Sequence, residues 1–160
     1  MRKAGIEGEY SLTQTIKLNA EAFRQENLES GAERHVEELG ASLDSANTRY
    51  HASVRQATDT DSDATQERSR QITAGVRWHS ADDRWELRAE HDQSLGDNSN
   101  TDYPTRTLLG ADYRLSGSVT LYAEQEYTSG EETSVRSSRA GLKASPWQGG
   151  TASSDIDRRL

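Results

Sequence analysis

Apolar and polar residues alternate along most of this chain. In "LGADYRLSGSVTLYAEQEY", Leu109, Ala111, Tyr113 and Leu115 are separated by Gly110, Asp112 and Arg114. After Ser116, Gly117 and Ser118, Val119, Leu121 and Ala123 are separated by Thr120 and Tyr122. A period of two marks a strand with one apolar and one polar face, and the small turn between two such runs marks a hairpin.

The pattern recurs. Gly5, Gly40, Gly75, Gly110 and Gly141 each follow a small or aliphatic residue and open a similar unit, in steps of 35, 35, 35 and 31 residues (40−5, 75−40, 110−75, 141−110). Each unit is one hairpin and its connection. Short turns are expected near Ser11–Gln14, Asp44–Asn47, Ser80–Asp83, Ser116–Ser118 and Pro146–Gly150. Longer polar loops are expected near Glu26–Glu33, Asp59–Gln66, Leu95–Tyr103 and Ser129–Thr133. Ser, Asp, Asn and Gly dominate both sets, as turn chemistry requires. The pattern predicts one all-β domain over 1–160, an antiparallel up-and-down meander of about ten strands forming part or all of a transmembrane β-barrel. Both ends are ragged, so a piece of a longer barrel is expected.

Parity assigns the faces. One face carries Ile16, Leu18 and Ala20; Leu39, Ala41 and Leu43; Ile72, Ala74 and Val76. The other carries the five repeat glycines and most of the charge. Tyr10, Tyr50, Trp78, Trp85 and Tyr113 all fall on the apolar parity beside a short turn, and Trp147 lies in the last such turn. Rings with one polar handle suit a membrane interface. The opposite end offers Tyr127 and Tyr103. In a membrane barrel the apolar face meets lipid and the charges line a wet lumen; Arg77, Arg88, Glu90, Asp112, Arg114 and Glu124 are the expected lumen residues. In a soluble barrel the apolar face would turn inward, and a core of mostly Ala would fill ten strands poorly. His35, Glu37, Arg68 and Arg70 share the apolar parity, but toward the long-loop end, where long side chains reach headgroups.

Composition narrows the classes. Of 160 residues 31% are hydrophobic and 29% charged, too polar for a thick core. No apolar run approaches the roughly 20 residues of a membrane helix, a test blind to strands. A net charge of −8 with scattered basic residues argues against a nucleic-acid partner. The absence of cysteine removes disulfides and thiolate metal sites. No nucleotide, metalloprotease or hydrolase motif is present, so neither enzymatic activity nor a cofactor is expected. "DTDSD" puts Asp59, Asp61 and Asp63 in one loop, a weak candidate for Ca²⁺, with Ala64 where an EF-hand needs Gly and Arg70 where it needs Glu. His91 and Asp92 are neighbours on a strand and point to opposite faces. His51 and His79 share the polar face and meet only if their strands pair in that register.

The hairpins "AGVRWHSADDRWELRAEHDQ" and "LGADYRLSGSVTLYAEQEY" resemble those of bacterial outer-membrane β-barrel proteins, in particular barrel regions of large Gram-negative envelope proteins. The resemblance spans about Ala4 to Ser145 and carries no catalytic signature. It implies an outer-membrane location, a lipid bilayer as partner together with other domains of a longer chain, and a passive, porin-like role as pore wall or membrane anchor. The alternatives are a soluble antiparallel β-barrel that binds a ligand or protein, and an outer-membrane enzyme.

Overall fold

The computed structural model describes residues 1–28, 30–61, 65–96, 104–130, 134–147 and 150–160, with the side chains of 146 and 147 outside that description. Ten strands follow one another: β1 Arg2–Ser11, β2 Ile16–Glu26, β3 Glu33–Ser45, β4 Thr48–Thr60, β5 Gln66–His79, β6 Trp85–Leu95, β7 Thr105–Ser116, β8 Val119–Ser129, β9 Ser134–Trp147 and β10 Gly150–Arg159. They form one antiparallel sheet in chain order, β1 to β10. Every neighbour in sequence is a neighbour in space, which is what short hairpin connections enforce. β1 and β10 are the two edges of the sheet.

The register keeps each face pure. Leu18, Ala41, Ala52 and Ala74 lie in one cross-strand row, and Leu43, Tyr50, Val76, Ala89 and Leu109 in another. A slip of one residue would send every apolar side chain to the polar face. One expectation needs correction. The alternation stops before Leu115, because the β7–β8 register shifts between Arg114 and Ser116, and Leu115 has no partner across the ladder. A bulge there adds a residue on one strand and flips the parity beyond it. At the β3–β4 turn Ala46 takes a positive φ of 36°, at the first central position of a two-residue loop, where glycine is usual.

The two faces differ in shelter. Among the described residues the buried ones are Val36, Ala57, Ser69, Gln71 and Asp92, and register places all five on the polar face. Phe23, Val36 and Ala57 pack together there as a short apolar row. The apolar face is open: Ile6 is 76% exposed, Leu39 68% and Trp85 45%. The accessible surface is 11225 Å², against roughly 8000 Å² for a compact monomer of this length. Sheet hydrogen bonding and same-face contacts hold the fold, and among the described residues no second layer covers the apolar side.

Candidate functional site on the polar face

Two arginines organise the sheltered face, and glycines make room for them. Arg88 on β6 lies opposite Gly110 on β7, which lies opposite Glu124 on β8. With no side chain on Gly110, the Arg88 guanidinium crosses it. Nη1 pairs with Asp112, and Nη2 reaches Glu124 Oε2 at 3.1 Å. A Cβ on Gly110 would come within 2.5 Å of Arg88 Nε. The same construction recurs one repeat earlier. His51 on β4 leans over Gly75 on β5, and its Nε2 lies 3.5 Å from Glu90 Oε2 on β6. Strands two apart therefore touch across Gly75 and Gly110, which gives this step of the 35-residue repeat a physical meaning.

Arg106 on β7 ties the two constructions together. Its Nη2 donates to Glu90 Oε1 at 2.5 Å and its Nε to Asp92 Oδ2 at 2.9 Å, while Nη1 lies 3.9 Å from Glu126 Oε2. Asp92 is 7% exposed and accepts a further bond from Thr73 Oγ1 at 2.6 Å. Buried carboxylates need such partners. The lattice runs from β4 to β8 and sets two arginines against five carboxylates, an excess of three negative charges. Each of those carboxylates faces a guanidinium, so the arrangement is a wall of fixed, net negative charge.

Of the residues expected to line a lumen, Arg88, Glu90, Asp112 and Glu124 belong to this lattice. Arg77 sits at its edge, with Nε 3.4 Å from Glu86 Oε1. Arg114 stands apart beside the bulge; its backbone N donates to Arg84 O at 2.7 Å, and its guanidinium meets no carboxylate among the described residues. Arg106, Asp92 and Glu126 complete the lattice and were not among the expected lumen residues. Their parity marked the face, but the pairing of Asp92 with Arg106 depends on a register that spacing alone does not give.

The histidines separate. His79 Nδ1 is 3.6 Å from Glu86 Oε2, far in register from His51. His91 Nδ1 is 2.8 Å from Thr107 Oγ1 on the opposite face from Asp92. Of the aspartate triplet, Asp63 lies outside the described residues, and Asp59 is 3.7 Å from Arg34. Among the described residues no three His, Asp or Glu side chains gather to hold a metal ion.

The aromatics form a line on the apolar face. Trp85 and Tyr113 are cross-strand partners with ring centroids 4.6 Å apart. Trp147 and Tyr103 fall outside what is described of side chains. The line runs oblique to the hydrogen-bond rows. The row of Tyr10 passes through Leu18, Ala41, Ala52, Ala74, His91 and Thr107. The aromatic on each strand departs from that row by two residues at Tyr50 (52−50), four at Trp78 (78−74) and six at Trp85 and Tyr113 (91−85, 113−107). Six residues are about 20 Å along the strands and six strand steps about 29 Å across them, an inclination of about 35°.

The β5–β6 turn supports this line. Trp85 N donates to Ser80 Oγ at 2.9 Å, and Ser80 Oγ donates to Asp82 Oδ1 at 2.5 Å. The Ser80 hydroxyl, then the Arg84 backbone N–H, hold the Asp82 carboxyl below the usual aspartate range.

A scan against protein-family models, a search of curated proteins and a search of solved structures each found no match to this chain.

Proposed function

We propose that this chain is a wall of an outer-membrane β-barrel of a Gram-negative bacterium, serving passively as pore lining or as a membrane anchor for further domains. One observation carries the reading: the faces are inverted relative to a soluble protein, with charge sheltered and the aliphatic and aromatic residues outside. Three alternating apolar residues on each of the eight strands β2 to β9 cover about 550 Å² before side-chain relief is counted, at the top of the 300–600 Å² range of the largest patch on an ordinary monomer. A bilayer is the solvent that makes such a face favourable. The oblique aromatic line adds a second support. An interface is flat, so aromatics held at one level require strands inclined to it, and about 35° matches the tilt of barrel strands. The Arg88 and Arg106 lattice then lines the wet side, where paired charges set ion preference.

The test is far-UV circular dichroism with sizing, in buffer and after dilution into detergent micelles. β structure that forms only with detergent supports lipid contact by Leu, Val and Trp. A stable monomeric β-fold in plain buffer overturns the reading in favour of a soluble barrel.

A further inference from the structure

We propose that a belt of arginines on the outer, apolar face binds the phosphates of anionic lipid headgroups at the membrane surface nearest the long loops. The proposal rests on the membrane reading above and deepens it.

The belt emerges when residues are counted from the short-turn end on the apolar parity. Arg2 lies eight residues from Tyr10, Arg24 eight from Ile16, Arg70 eight from Trp78 and Arg136 eight from Ala144, while Arg158 lies six from Ala152. All five share the apolar face by register: Arg2 is opposite Glu26, Arg24 opposite Ala4, Arg70 opposite Gln56, Arg136 opposite Tyr127 and Arg158 opposite Ser138. Five strands, the edge pairs β1–β2 and β9–β10 together with β5, thus place a guanidinium at one level. Eight residues on strands inclined by about 35° rise about 22 Å, close to the roughly 25 Å apolar band of a barrel. The aromatics mark one boundary of that band and the arginines the other.

Most of this charge is left for a ligand. Arg24 pairs with Glu33. Arg70 Nε donates to the neutral Gln56 Oε1 at 2.9 Å, and the Arg136 guanidinium lies 5.3 Å from the Tyr127 ring centroid, which orients it without neutralising it. Arg2, Arg158 and Arg68, two residues beyond Arg70, meet no carboxylate among the described residues. On this face beyond the aliphatic stripes stand six arginines and three glutamates, Glu26, Glu33 and Glu37, in a chain of net charge −8. Glu37 is matched by His35 Nε2 at 3.1 Å. The long loops themselves, 27–32, 61–65, 96–104 and 130–133, contain no Lys or Arg. On this face attraction to phosphate therefore comes from the belt and not from the loops. Arginine suits the task, because its planar fork matches a phosphate with two parallel bonds.

The test compares insertion of the full chain into vesicles of phosphatidylcholine alone and vesicles one-third phosphatidylglycerol, read by tryptophan emission and protease protection. The chain should insert into both, with about tenfold tighter association on the anionic vesicles. A variant with Arg2→Gln, Arg24→Gln, Arg70→Gln, Arg136→Gln and Arg158→Gln should insert into neutral vesicles like the parent and lose the anionic gain. The same five positions changed to Lys should keep most of it. No anionic gain in the parent, or an undiminished gain in the Gln variant, overturns the belt and leaves the membrane reading standing. Failure to insert into either vesicle overturns both.

Discussion

Gly141 is the most constrained of the five repeat glycines. A Cβ there would run into the Ser154 backbone carbonyl and come within 2.8 Å of the Tyr122 hydroxyl. At Gly75 the obstacle is the His51 imidazole, the end of a side chain that can swing away. Backbone cannot yield as a rotamer can, so the two positions should respond differently. Gly75→Ala is expected to cost about 1 kcal/mol, mostly the His51–Glu90 contact, and Gly141→Ala about 2–3 kcal/mol through overpacking against the ladder. Urea midpoints of the folded variants check this, and equal losses would refute the ordering. The spacing of these glycines was plain in the sequence. Their partners were not, because a repeat fixes which residues are equivalent and leaves open which ones face each other across a strand pair.

At the scale of elements, turn chemistry was the easiest feature to read and its electrostatics the hardest. Ser80–Asp83 announced a turn by composition. That Asp82 would accept bonds from Ser80 Oγ and Arg84 N required coordinates. These bonds lower the folded pKa of Asp82 relative to the unfolded chain. A group with a depressed folded pKa stabilises the fold above the unfolded value, and that contribution disappears as pH falls through the folded value. The parent should therefore lose stability relative to Asp82→Asn as pH drops from about 5 to about 2. Urea midpoints of the two proteins across that range read the effect; a difference between them that stays constant with pH would remove Asp82 from the account. The β7–β8 bulge shows the limit of pattern reading in another way. Leu115 continues the alternation perfectly in sequence, yet the shift between Arg114 and Ser116 takes it off the ladder. Period-two counting cannot see an inserted residue at a strand end.

At the scale of the whole molecule, parity correctly separated the faces, and Ile72, Val76, Arg88 and Glu124 lie where alternation put them. Alternation is symmetric about the sheet, however, and does not say which side is sheltered. That answer comes from Val36, Ala57, Gln71 and Asp92, which are buried on the polar side while Trp78 and Trp85 remain 38% and 45% exposed on the other. An exposed ring has contact area still to gain from its surroundings. About half of a 200 Å² ring, at roughly 25 cal/mol per Å², amounts to about 2.5 kcal/mol for each tryptophan transferred to an interface. Replacing Trp78 and Trp85 together by Ala should therefore weaken insertion into phosphatidylcholine vesicles by at least about tenfold, even after generous discounting for the polar part of the interface. The paired change to Phe should recover most of the loss, since the ring area is what matters, and the remaining deficit would measure the indole N–H. Trp85→Ala also removes the ring that packs at a tilt against Tyr113, so it should cost more than Trp78→Ala alone. Insertion unchanged in the double Ala variant would mean that the oblique line of rings has no part in meeting lipid, and that its inclination of about 35° reflects the register of the hairpins alone.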